Sequence, residues 1–351
     1  MFDVFENRLE LSGTLTTVTA LRISQGRSTE PIGSDLPVVK DSLGRPLIPG
    51  SSFKGALRSR LESFLRGIFG DDRKLVANPA LESEWALTSD ENKILKNMSL
   101  TELVRLCWAI KDQDFQSFDF EQLTRLIRLK TNVEAGRENP RPQDIEILSR
   151  LPEAEVLEDA KKEFSGLDDV FTQAILSKTD LISRLFGSPW LASKFQVRDL
   201  TVQPDLWFGQ YQERDGVSID RDTETASDGK LYDFQVVPAG TPFEFKAVVE
   251  NAEDWELGLL MIGLYQFENE MIPLGGGRSR GLGVVKLNLD EMMWANPSNP
   301  QELIEYLRHL VEGRLQSYIK TPPQIEKLKR SWSMSLLNHL TQLSTGERIH
   351  A

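Results

Sequence analysis

The sequence predicts an α+β fold: a small sheet backed by helices and interrupted by an all-helical module. Three observations predict it. Residues 8–19, 243–250 and 285–289 alternate apolar and polar side chains with the period of a half-buried strand. Residues 53–65 and 255–266 repeat apolar side chains as helices do, and 71 to about 180 is leucine-rich, helical in period and broken by polar loops.

The first strand sets Leu9, Leu11 and Leu15 against Arg8, Glu10, Ser12 and Thr14. A loop rich in Gly, Ser and Pro runs from about Ser24 to Ser52. Phe53, Leu57, Leu61 and Leu65 then recur at i+4, which starts a helix with Ser51 or Ser52 as its cap. In the middle segment Ser99-Leu100-Thr101-Glu102 has the form of a capping box ahead of Leu103, Leu106 and Ile110. Further helices are expected over 119–130 and 167–185, with a Pro-punctuated link at Asn139-Pro140-Arg141-Pro142. Strand character returns at about Phe195. Phe243, Phe245, Ala247 and Val249 alternate with Glu244, Lys246, Val248 and Glu250, Trp255 to Gln266 reads as an apolar helix, and Val285, Leu287 and Leu289 mark a last strand. Without the middle segment and the 195–240 excursion the order is strand–helix–strand–helix–strand. That order suits a ferredoxin-like (RRM-like) sheet of the kind RNA-recognition modules use. Residues 300–343 add two helical patterns, the second carrying Ile325, Leu328, Trp332, Leu336 and Leu340.

Composition narrows the chemistry. The single cysteine, Cys107, rules out an internal disulfide and a Cys-rich zinc site, and its setting reads as helix core. His309, His339 and His350 all fall in the last fifth of the 351 residues, so chemistry in the main body is pushed toward carboxylates and metal. No apolar run is long enough to span a bilayer and no leader pattern opens the chain, so the expectation is a cytoplasmic protein without membrane contact. The formal net charge of −12 argues against a general nucleic-acid-binding field. Its distribution matters more: residues 1–70 carry nine Lys and Arg against seven Asp and Glu, residues 71–182 fifteen against twenty-three, and residues 183–294 ten against eighteen. Any RNA contact must come from a few placed cations.

Three segments combine small residues with neighbouring cations. In Pro49-Gly50-Ser51-Ser52-Phe53-Lys54-Gly55-Ala56-Leu57-Arg58, amides at a helix start would face a phosphate, with Lys54 and Arg58 on one face. A capped amphipathic helix with a solvated basic face fits the same residues. The run Gly275-Gly276-Gly277-Arg278-Ser279-Arg280-Gly281-Leu282-Gly283 is costly to order, which makes sense where another backbone comes close; a plain flexible hairpin also fits. It is neither a Walker loop nor a dinucleotide fingerprint. The third, Val217-Ser218-Ile219-Asp220-Arg221-Asp222-Thr223, reads on its own as a solvated turn.

Together and in this order the segments resemble the RAMP superfamily, in particular the repeating backbone subunits of type III CRISPR effector complexes. The resemblance runs from Ser12-Gly13-Thr14-Leu15 through Ile32 to Asp41, Ile48-Pro49-Gly50-Ser51-Ser52-Phe53-Lys54-Gly55, Leu185-Phe186-Gly187, Ile219-Asp220-Arg221, Val237-Pro238-Ala239-Gly240-Thr241 and the glycine loop. About 110 residues separate the first helix from Leu185-Phe186-Gly187, where the family usually has a short link, so this is an insertion-bearing variant. The resemblance implies a palm over residues 1–70 and 183–294 with a thumb β-hairpin at about 208–236, a helical insertion over 71–182 and a helical C-terminal extension over 295–351. It implies guide-RNA contacts at Ser51, Ser52, Lys54, Arg58, Gly275, Gly276, Gly277, Arg278 and Arg280, and thumb contacts at Ile219, Asp220 and Arg221. Asp35 in Gly33-Ser34-Asp35-Leu36-Pro37 stands where cutting members carry an aspartate. There it would hold Mg²⁺ or another divalent cation while the neighbouring 2′-OH attacks the phosphate, leaving a 2′,3′-cyclic phosphate and a 5′-hydroxyl. An Asp35 that merely bonds its own loop backbone is the alternative. The implied partners are CRISPR guide RNA, complementary target RNA, other RAMP subunits and the large polymerase-like subunit. Two rival functions remain at this point: a non-cutting structural backbone subunit, and a guide-processing endoribonuclease, for which no histidine or comparable base stands near the glycine loop.

Overall fold

The computed structural model describes residues 4–24, 26, 36–70, 72, 74–77, 88–115, 118–157, 167–216 and 232–345. In chain order the elements are β1 (Arg8–Thr17), β2 (Leu47–Ile48), α1 (Gly50–Phe69), α2 (Ser89–Lys96), α3 (Leu100–Lys111), α4 (Phe120–Glu134) and α5 (Ile145–Arg150). Then come α6 (Leu167–Ser177), α7 (Leu181–Phe186), β3 (Phe195–Val197), β4 (Leu200–Thr201), β5 (Gln212–Gly216) and β6 (Tyr232–Val236). The chain continues through β7 (Pro242–Glu250), α8 (Asp254–Glu268), β8 (Val285–Ala295), α9 (Pro300–Val311) and α10 (Pro322–Thr345). The fold is mixed α and β with an antiparallel main sheet, and it separates into two compact units, Leu65–Ser193 and Phe2–Phe64 with Lys194–Thr345.

The second unit is built on a four-stranded sheet in the order β3-β7-β1-β8, every neighbouring pair antiparallel. Strict alternation buries Leu9, Leu11 and Leu15 of β1 opposite Val249, Ala247 and Phe243 of β7. Phe53 of α1 stacks on Phe267 of α8, ring centroids 4.4 Å apart, and meets Phe245 of β7 at 5.1 Å. α8 is apolar on nearly every side, as a helix enclosed by other elements must be. It packs against α10 at Gly258, where a Cβ would lie 2.1 Å from the Trp332 carbonyl oxygen. The two last helices thus belong to the same compact unit as the sheet. Phe5 stacks on the buried Tyr306 of α9, and Met293 of β8 bridges to Ile319.

The first unit has its own apolar core, with Leu103, Leu106, Leu123, Ile127, Leu148, Val170 and Ala174 at its centre. Ser99 caps α3 with Glu102 in the reciprocal arrangement expected from sequence. Arg105 is buried in this core, its Nη2 on both carboxylate oxygens of Glu134 (2.9 and 2.8 Å), with further bonds to Thr131 and the Pro152 carbonyl. Cys107 is half-buried on α3 against the Val170 carbonyl.

Two boundaries differ from expectation. The helix expected over 167–185 is two helices, because Asp180 accepts from the amides of Ile182 and Ser183 and starts α7 afresh. Neither Ser51 nor Ser52 caps α1. The helix begins at Gly50, whose amide donates to the Asp199 carboxylate at 2.8 Å, and a Cβ at Gly50 would lie 2.5 Å from the Val197 carbonyl oxygen.

Candidate nucleic-acid interface

Segments far apart in sequence meet at β6, which pairs with β5 as a two-stranded antiparallel ribbon. Leu21 and Val237 exchange two 2.8 Å backbone bonds. The Leu36 amide donates to the Asp233 carbonyl at 3.2 Å, and the Leu36 carbonyl accepts from Gln235 at 3.1 Å. Both feet of the 25–35 segment are therefore held beside β6. Ala20, Phe234, Val236 and Leu282 form a small buried cluster with Leu36 against it.

The glycine loop docks on the same region. Gly276 donates to the Arg22 carbonyl at 2.8 Å and Gly283 to the Ala20 carbonyl at 2.9 Å. Gly275 lies at φ +74°, and a Cβ there would be 2.1 Å from the Arg22 oxygen; at Gly283, φ +87°, it would be 2.0 Å from the Leu274 oxygen. The close backbone that the glycine run called for is thus supplied at Gly275 by the chain's own Arg22. Gly276 is exposed with open space at its Cβ position, and Gly277 leads into an exposed turn over Arg278–Arg280. Arg278 folds back, Nε to the Gly275 carbonyl at 3.1 Å.

The cations of α1 are more engaged than their sequence suggests. Lys54 Nζ donates to the Phe195 carbonyl at 3.0 Å, and burial together with the charge of Arg58 lowers its pKa to about 8. Arg58 pairs with Glu62 at 2.7 Å. Ser51 is exposed and Ser52 half-buried in the first turn. Asp35 and the residues expected at a thumb, Ile219, Asp220 and Arg221, lie outside the described residues.

Sequence reasoning missed a set of aromatic–cation contacts at the hairpin base. The Arg22 guanidinium carbon lies 4.6 Å from the Phe234 ring centroid, and Lys40 Nζ lies 4.4 Å from that of Tyr211. Tyr211 donates to the Gly44 carbonyl at 2.6 Å; burial, reinforced by the charge of Asp41, pushes its hydroxyl up to about 12. Asp41 brackets its turn by accepting from the amides of Leu43 and Arg45, and these bonds hold its carboxyl below its ordinary value. Trp207 packs at 5.2 Å against both Phe208 and Tyr211, and Phe208 is exposed. The aromatic run Trp207-Phe208 with Tyr211 ahead of a strand was the available signal.

The strand face of the sheet turned away from Leu9, Leu11 and Leu15 carries Arg8, Glu10, Ser12, Thr14, Glu244, Lys246 and Glu250, without a stacking ring from β1 or β7. Base stacking on that face, the usual RRM device, has no platform in these two strands. Among the described residues no group of three or more His, Cys, Asp or Glu could hold a metal ion, and no helix is long and apolar enough to cross a membrane.

Comparison with known proteins adds a family. The chain is similar to the CRISPR system Cms endoribonuclease Csm3 of Mycobacterium tuberculosis, 33% identical over 105 residues that cover 24% of this chain and 44% of that protein. The proteins of the same name from Methanocaldococcus jannaschii and Enterococcus italicus are 41% identical over 58 residues and 44% identical over 57. Each of these two matches covers 16% of this chain, and they span 23% and 27% of the respective relatives. The matched stretches span less than half of each relative. The family model of the RAMP superfamily matches residues 14–286, most of the chain, and the protein belongs to that superfamily.

Proposed function

We propose that this chain is a guide-RNA-binding backbone subunit of a type III CRISPR interference complex and that it cuts complementary target RNA at Asp35. The observation that carries the reading is the convergence at β6. The foot of the Asp35 segment, the stem of the hairpin and the glycine loop, three separate pieces of the family pattern, are bonded to one another. The relatives named as endoribonucleases point the same way. The order β3-β7-β1-β8, with α1 after β1 and α8 after β7, supports a ferredoxin-like palm, and the β5–β6 ribbon supports a thumb over about 208–236.

In this reading Ser51, Ser52, Lys54, Arg58, Gly275–Gly277, Arg278 and Arg280 line the guide, and Ile219, Asp220 and Arg221 form the thumb tip. Asp35 would hold a divalent cation, Mg²⁺ or another, which when bound would supply charge neutralisation at the phosphate. Asp35 orients the site, and the attacking group is the 2′-OH next to the scissile phosphate, aligned by the RNA itself. Other RAMP subunits and the large polymerase-like subunit complete the assembly, which works in the cytoplasm.

The test is an assembled complex carrying Asp35→Asn. Guide and target binding should persist while one cut in the target disappears; EDTA, or 2′-deoxyribose at that position, should remove the same cut. Normal cutting by Asp35→Asn would leave the subunit a structural role, and sequencing of co-purified RNA that returned no guide would end the reading.

A further inference from the structure

We propose that Arg22 and Lys40 are contacts for RNA phosphates at the base of the β5–β6 hairpin, an inference that rests on the RNA-binding reading above. Each is a half-buried cation seated on an aromatic ring of the hairpin: Arg22 on Phe234 of β6, Lys40 on Tyr211 just ahead of β5. No hydrogen bond or ion pair with a described residue engages either side chain. The neighbouring cations each have a partner within the chain as well. Arg45 bonds Asp41 at 2.8 Å, Arg58 bonds Glu62 at 2.7 Å, and Lys54 rests on the Phe195 carbonyl.

A ring face attracts a cation without consuming its N–H donors as a carboxylate does. Arg22 and Lys40 are therefore positioned but unneutralised, in a chain whose net charge of −12 offers carboxylates in excess. The backbones that carry the two side chains are fixed as well. The Arg22 carbonyl is held by Gly276, and Lys40 bridges Pro46. In sequence the two residues bracket the segment that contains Asp35. A phosphodiester suits the pair, because a guanidinium takes two phosphate oxygens in a fork and an ammonium acts as a point charge beside it.

The test uses the full chain freed of RNA, titrated with a single-stranded RNA oligonucleotide over a salt series by fluorescence anisotropy. Arg22→Ala and Lys40→Ala should each lower the slope of log K against log salt by about 0.7, the single-strand contribution of one phosphate, and the double variant by about 1.4. Arg22→Lys should keep the wild-type slope. Should Arg22→Ala unfold, Arg22→Met keeps the apolar stem on Phe234 and carries the same expectation. A double variant with wild-type slope and wild-type melting temperature overturns the inference while leaving RNA binding intact. A wild-type chain that binds no RNA overturns the functional reading first, so the two failures are separable.

Discussion

Lys194 and Glu256 form an enclosed ion pair, Nζ 2.6 Å from Oε2, with side chains 6% and 0% exposed. Burial pushes the Glu256 carboxyl up, and the Lys194 ammonium pulls against it. Removing one partner strands a charge in a buried site. Lys194→Met or Glu256→Leu alone should cost about 3–5 kcal/mol, and the double variant much less than their sum. Urea denaturation of the three variants reads the coupling directly, and additive costs would show the pair to be independent.

Lys54 gives a pH dependence. Its pKa is lowered to about 8 from an ordinary 10.5, so between those values the folded chain binds fewer protons than the unfolded one. Stability should rise with pH across that window relative to Lys54→Met, and the contribution should be lost as pH falls through about 8. RNA retention should move oppositely, weakening above about pH 8 as the cation is lost, whereas Lys54→Arg should flatten the profile. Melting and anisotropy series in matched buffers check both signs.

The three consecutive glycines are not equivalent. Gly275→Ala places a methyl group 2.1 Å from the Arg22 oxygen at φ +74° and should cost upward of about 2 kcal/mol. Gly276→Ala meets open space and should stay within about 0.5 kcal/mol of the parent. Equal effects in thermal melts would contradict the docking of this loop on Arg22.

Arg105→Ala removes four hydrogen bonds inside the helical unit and leaves Glu134 short of its main partner. A loss of about 3–5 kcal/mol is expected, confined to that unit. Calorimetry should show one transition moving to lower temperature while a second, from the sheet-bearing unit, stays in place.

Much of this organisation is legible along the chain because it is local. The alternation of Leu9, Leu11 and Leu15 and the Ser99–Glu102 box need only neighbouring residues, and both are found as expected. What escaped depends on distant partners. Asp199 caps α1 from 149 positions away, and Arg22 reaches Phe234 and Gly276 through contacts that no window of sequence contains. Lys54 looked like a free basic side chain because nothing near it reveals the Phe195 carbonyl. The break at Asp180 was local and could have been read, since an aspartate two residues before Ile182 is a good helix start.

The central strand has a consequence for biosynthesis. β1 pairs with β7 and β8, so Arg8 waits for Glu250 and Ala295 before its sheet neighbours exist. β1 leaves the ribosome well before either of its partners, whereas the described buried core of the helical unit is synthesised by Ile175. Nascent chains stalled once Ile175 has cleared the ribosome should therefore show a protease-resistant helical fragment with β1 still an unprotected arm. Such an arm carries alternating leucines and an unpaired edge, which makes the interval before Ala295 emerges the one in which this protein most needs a chaperone.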